Sequence, residues 1–150
     1  MREGSMMSSE MTVIARVVLA ALLGSIIGYE REHVGKEAGT RTHALVTLGS
    51  ALFTTLSTAF LPTMYPGYNP GQIPSQIIVG IGFLTGGMLI QQKNRVRGLT
   101  TAAELWVAAA IGMAVGVGWY AVAIATSSLV FLMLTAVEFF RKPESKRKRP

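Results

Sequence analysis

Apolar residues in this chain do not alternate with polar ones at a helical or strand period. They come in five blocks, over roughly 12–29, 42–61, 73–90, 99–118 and 119–140, each separated from the next by a short polar or turn-rich segment. Eighteen residues of helix make about 27 Å, close to the hydrocarbon thickness of about 30 Å that a spanning segment must cross. The pattern predicts an all-α integral membrane protein, a bundle of five transmembrane helices in which consecutive helices run antiparallel. Pro62 is expected to close the second span, and GVGWY is the turn signal between the fourth and fifth. Residues 1–11 and 141–150 then read as an extracytoplasmic N-terminal segment and a basic cytoplasmic tail around a membrane domain over 12–140.

Composition agrees. Charged residues are 15% of the chain, against about 25% in soluble proteins, and half of all residues are apolar. There is no Cys, which removes disulfides, thiolate metal sites and Cys nucleophiles. All eight acids are Glu, so phosphoryl transfer through an Asp has no residue to use. No secretory cleavage pattern follows the first apolar block, and the opening MREGSM reads as a leading extension without functional pattern.

Cations set the orientation. Arg31, Lys36 and Arg41 lie in the first connection, Lys93, Arg95 and Arg97 in the third. Arg141, Lys142, Lys146, Arg147, Lys148 and Arg149 lie in the tail, which brings twelve of the fourteen cations to one side. LPTMYPGYNPGQIP and GVGWY, on the other side, carry no charge and hold Tyr65, Tyr68, Trp119 and Tyr120, rings that favour an interface. The N-terminus is therefore expected outside and the C-terminus in the cytoplasm. The closing KRKRP reads as a lipid-attracted tail that fixes topology, with no nucleic-acid partner expected.

Helices in lipid associate by close backbone packing rather than by hydrophobic drive. Gly24 and Gly28, Gly82 and Gly86, and Gly112 and Gly116 are each four residues apart, and Ala20 and Ala108 extend two of these faces. The third block adds Gly80 and Gly87. Packing within the chain is the favoured reading of all three faces. The alternatives are a homo-oligomer seam and a broken helix that offers carbonyls to an ion.

The stretch GYEREHVGKEAGTRTHALVTLG puts six charges into its first fourteen positions, between two apolar blocks. Glu30 and Glu32 fall at the C-terminal end of the first helix, where the helix dipole disfavours anions, and Arg41 starts the second, where it disfavours cations. Glu30 and Arg41 are expected partners, Gly35 and Gly39 frame the turn, and Thr40 or Thr42 is the expected cap of the second helix. The third connection repeats the plan: Arg97–Gly98 makes the turn, and Thr100 and Thr101 are candidate caps. Glu104 lies one turn inside the apolar run and must face the bundle, with Arg41, Arg97 or a watery vestibule as partner. His33 is expected in solvent and His43 at headgroup level; neither has metal-ligand spacing. Arg16 and Glu138 are near enough to helix ends to snorkel and receive no role.

GSIIGYERE, AGTRTHALVTLGSALF, VGIGFLTGGMLI and VRGLTTAAELWVAAAIGMAVG follow one another in an order and spacing that resembles the MgtC/SapB family of bacterial inner-membrane proteins, over about 19–118. By that resemblance the family's GxERE acid falls on Glu30 and Arg31, its GxRT turn on Gly39, Arg41 and Thr42, and its RGLTTAA turn on 97–103. Thr85 departs from a row that many members fill with small residues. Longer members add a soluble ACT-like C-terminal domain, whereas this chain closes on its basic tail. The resemblance implies a role in adaptation to low magnesium and, in pathogens, in virulence, usually regarded as regulatory, with the F-type ATP synthase as a proposed target of some members.

The leading expectation is thus a non-enzymatic regulator that contacts other membrane proteins. Its functional face would be built from Glu30, Arg31, Arg41, Thr42, Arg97, Thr100, Thr101 and Glu104, and it needs no cofactor. The alternative is a small magnesium or other cation transporter using Glu104 and the Gly-rich third span. Mg²⁺ prefers oxygen-rich sites with several carboxylates, and this sequence offers one near-membrane acid. Neither HExxH nor GxSxG occurs, and both His residues lie in or beside one connection, so an intramembrane enzyme is the remotest reading.

Overall fold

Each apolar block forms helix because a backbone in lipid has no other partner for its N–H and C=O groups. The computed structural model describes residues 2–92 and 95–140, with side-chain surroundings for 9–89 and 97–136. Helix α1 spans Arg2–His33 and α2 spans Thr40–Thr55; a π-helical turn, Leu56–Phe60, carries α2 into the short α3, Leu61–Met64. Helix α4 spans Gln72–Gly87, α5 Leu99–Val117 and α6 Tyr120–Phe140. Among the described residues three stretches, Ser9–His33, Thr40–Met64 and Leu99–Val117, are long and apolar enough to cross a bilayer.

Two boundaries differ from the sequence expectation. Pro62 does not end its span: it sits at the start of α3, and the wide turn before it, closed by the Leu61 N–H on the Leu56 carbonyl, takes up the missing donor. The third block leaves the helix early. Helix α4 stops at Gly87 after sixteen residues, about 24 Å at 1.5 Å each. The chain then forms an antiparallel hairpin, β1 Ile90–Gln92 with β2 Arg95–Arg97, in the register Ile90 to Arg97 and Gln92 to Arg95. Two residues separate the last pair, the length of the commonest hairpin loops. Lys93 and the tail cations lie outside the described residues.

Helix ends are closed by glycine. Gly35 and Gly118 take positive φ, 69° and 97°. Around them Lys36 N–H reaches the Arg31 carbonyl at 3.0 Å and Trp119 N–H reaches the Ala114 carbonyl at 2.8 Å, the Schellman arrangement.

Packing centres on α2, which lies between α1 and α5. A Cβ on Gly28 would stand 2.7 Å from both the Gly39 carbonyl oxygen and the Thr40 Cα, and one on Gly24 2.6 Å from the His43 carbonyl oxygen. From the other side, a Cβ on Gly112 would stand 2.8 Å from the Ser50 Cβ, and one on Gly116 2.7 Å from the Ala51 carbonyl oxygen. These two glycine pairs bring three backbones together. Ala20, Leu23, Ile27, Ala51, Ile111, Val115 and Ala123 fill the core between them. The row on α4 behaves differently: Cβ atoms on Gly80, Gly82, Gly86 and Gly87 would meet nothing within 4 Å among the described residues, so packing among these does not account for them.

At one end of the bundle Arg16, expected only to snorkel, donates from Nη1 to the Gly116 carbonyl at 2.8 Å and from Nε to the Tyr120 hydroxyl at 3.1 Å. Thr55 donates to the same Gly116 carbonyl at 3.1 Å. Nearby in sequence, Ser57 meets the Tyr68 hydroxyl at 3.0 Å and the Pro70 carbonyl at 2.9 Å. The opposite end holds the charges.

Candidate functional site: a buried arginine between two glutamates

The last turn of α1 turns Arg31 inward, so that the residue is only 4% exposed. Its Nε pairs with the Glu30 carboxylate and its Nη1 donates to Glu104 Oε1 at 3.2 Å. Glu104 comes from the second turn of α5 and is 6% exposed, while its other oxygen, Oε2, has no hydrogen-bond partner among the described residues. The guanidinium therefore stands where one carboxylate from α1 and one from α5 converge. Burying an acid in a span is costly, and an adjacent fixed cation is the compensation the fold supplies.

The expected partners are thus rearranged. Glu30 pairs with its neighbour Arg31, not with Arg41, and Glu104 finds Arg31, not Arg41 or Arg97. Arg41, Arg97 and Thr100 are exposed, Thr42 is half-buried and Thr101 is buried on α5. Only Glu30, Arg31 and Glu104 of the expected set form one bonded cluster. The expected caps are absent too. Neither α2 nor α5 is capped by a side chain of its N-cap residue, Gly39 or Gly98, and Thr100 and Thr101 already lie inside α5. The Thr40 N–H at the start of α2 is instead met by the Glu32 carboxylate from α1, at 3.1 Å.

His43 was expected at headgroup level and is fully buried, with Nδ1 3.0 Å from the Gly39 carbonyl oxygen and Nε2 unpartnered among the described residues. It begins a row that the sequence reading missed. His43, Thr47, Ser50, Thr54 and Ser57 are all buried, on one face of α2 and its π-helical continuation. Their spacing of four, three, four and three was the available signal, because polar side chains in a span turn toward the bundle. His33 is exposed, as expected, with its ring 4.9 Å from that of Tyr29.

Among the described residues no three His, Cys, Asp or Glu side chains gather as a metal site would require. What the cluster can do is hold charge in place. It locks the end of α1 to the start of α5 across the head of α2.

Comparison with known proteins places the chain in a family. The model of the MgtC family matches residues 17–142. A protein of Escherichia coli strain K12 named "Putative magnesium transporter YhiD" is 42% identical over 125 residues, covering 81% of this chain and 58% of its own length. Protein MgtC of Salmonella typhimurium strain 14028s is 41% identical over 117 residues, covering 78% of this chain and 48% of its own. The chain thus spans about half the length of these curated relatives. No solved structure matches it. With four-fifths of its length aligned to such relatives and one family model running from α1 to the end of α6, this membrane protein belongs to the MgtC family.

Proposed function

We propose that the protein is a non-enzymatic regulator in the bacterial inner membrane, linked to adaptation to low magnesium and acting by contact with other membrane proteins. The observation that carries this is Arg31. A transported Mg²⁺ needs several free oxygen ligands, and the two inward carboxylates at this end, Glu30 and Glu104, are already held by an internal guanidinium. A cation fixed by the fold serves shape rather than passage. In this reading five helices cross the membrane with the N-terminus outside, and the charged end faces the cytoplasm. The exposed residues around the buried cluster meet the partner; a proton-translocating ATP synthase and a second copy of the chain are the candidates.

The second reading, a small magnesium or other cation transporter, has two supports: the open Gly80–Gly87 row of α4 and the name carried by the Escherichia coli relative. Mg²⁺ uptake into proteoliposomes of the purified chain separates the two. The expected result is uptake no greater than in protein-free vesicles, from protein shown to be folded and inserted. Uptake that disappears in Glu104→Gln would overturn the regulatory reading. Growth of a strain lacking its own family member supplies the positive arm. The chain should restore growth at limiting magnesium, and Glu30→Ala should remove that rescue while the protein still accumulates in the membrane.

A further inference from the structure

Helix α4 packs against α5 but stands off from α2. Between α2 and α4 runs an apolar groove of about 440 Å³, walled by Leu45, Gly49 and Phe53 on one side and Ile73, Ile77 and Gly80 on the other. Gly49 and Gly80 keep it open, since a Cβ on either would meet nothing within 4 Å among the described residues. Toward the charged end the surface continues past Gly86 and Gly87 to Thr42, at the head of α2.

Two exposed guanidiniums flank that end. Arg41 immediately precedes Thr42. Arg97 precedes Gly98, whose Cβ position lies 3.0 Å from the Met88 carbonyl oxygen at the end of the α4 wall. Among the described residues the ion pairs are those of Arg31, so neither Arg41 nor Arg97 is consumed by one. The Glu32 carboxylate, near enough to act on Arg41, is itself held by the Thr40 N–H, and Glu37 Oε2 lies 3.7 Å from the Cβ position of Gly98.

We infer that this groove binds an anionic phospholipid, with one acyl chain between α2 and α4 and the phosphate on Arg41 and Arg97. The lining suits a hydrocarbon chain. The walls run from Leu45 to Phe53 and from Ile73 to Ile81, each about 12 Å long at about 1.5 Å per residue, and they are almost wholly apolar. Charge selects the headgroup, because cations at a membrane surface favour anionic lipid. The site shares no residue with the Arg31 cluster and does not depend on what that cluster does.

The test carries the purified full chain into nanodiscs of phosphatidylcholine, with or without phosphatidylglycerol. Native mass spectrometry then reads the lipid retained, and a thermal scan reads the midpoint. Phosphatidylglycerol should raise the midpoint and be retained in preference to phosphatidylcholine. That preference should fall roughly fivefold in Arg41→Gln and further in the double variant with Arg97→Gln. Gly80→Leu, which has open space for its side chain, should lose retention of both lipids while the fold persists. An undiminished preference in the double variant overturns the proposal, as does lipid retention that survives Gly80→Leu. Efficient cross-linking of Gly80→Cys between copies in the same discs would seat a second chain in the groove and overturn it as well.

Discussion

Removing the Arg31 side chain should cost more than removing either acid it holds. Arg31→Met leaves Glu30 and Glu104 facing each other with side chains 10% and 5% exposed and no counter-charge between them. At the 3.2 Å separation of Arg31 and Glu104 the bare attraction is roughly 5 kcal/mol at an effective dielectric near 20, and desolvation of both groups offsets part of it. Breaking a buried pair by deleting one partner typically loses about 3–5 kcal/mol, most of it from the charge left behind. Glu104→Gln should lose less, about 1–2 kcal/mol, because Arg31 keeps Glu30 and a neutral amide can still accept its hydrogen bond. In the double variant the losses should fall short of the sum by about 1–3 kcal/mol. The assay is thermal or denaturant unfolding in detergent micelles, followed by tryptophan fluorescence; Trp106 lies two residues beyond Glu104 on α5. Losses that add within about 0.5 kcal/mol would refute the coupling, and with it the view that Arg31 is the counter-ion of Glu104.

Three further outcomes follow from the packing, each read in the same unfolding assay. Gly112→Ala or Gly28→Ala should destabilise by about 1–3 kcal/mol or more through forced separation of backbones, while Gly80→Ala, in open space, should be neutral or gain up to about 1 kcal/mol from helix propensity. Equal losses at all three positions would show that the chain packs differently. Thr54→Val removes a buried hydroxyl that has no partner among the described residues and should be close to neutral, whereas Thr55→Val gives up its bond to the Gly116 carbonyl and should cost about 1 kcal/mol. Arg16→Met should lower stability by about 1.5–3 kcal/mol, since it deletes charge-assisted bonds from α1 to Gly116 and Tyr120; a neutral result would return Arg16 to the role of a snorkelling anchor.

The bilayer itself made much of this fold legible, because its thickness bounds the apolar blocks and its lack of water forces them into helices. Four-residue glycine spacing also pointed to close contacts at Gly24–Gly28 and Gly112–Gly116. The same spacing at Gly82–Gly86 meets open space, because spacing describes a helix face and says nothing of what stands opposite. Of the charged cluster the sequence pointed to Glu30, Arg31 and Glu104 among five others that stand outside it, and not to the pairing. The helix dipole disfavours Glu30 at the end of α1 and Arg41 at the start of α2, which paired the two across the turn, but Arg31, buried beside Glu30, takes that place. Contact between Glu104 and the end of α1 depends on how α1, α2 and α5 are stacked, and no local pattern encodes that. His43 was misplaced for a related reason: reading it by its nearness to a charged loop ignored the threonines and serines that continue its face along α2.

The polar face of α2 has a consequence for how the protein is made. His43, Thr47, Ser50 and Thr54 are shielded in the finished molecule between α1 and α5, yet α5 ends 62 residues after α2 does. At roughly 5–20 residues per second the newly inserted α1–α2 pair would wait about 3–12 s before its second cover emerges from the ribosome. During that interval the His43 imidazole and the Ser50 and Thr54 hydroxyls lack that cover, whereas the Thr47 hydroxyl already bonds carbonyls of its own helix. Slowing translation between α2 and α5 should therefore raise the fraction that is degraded rather than assembled.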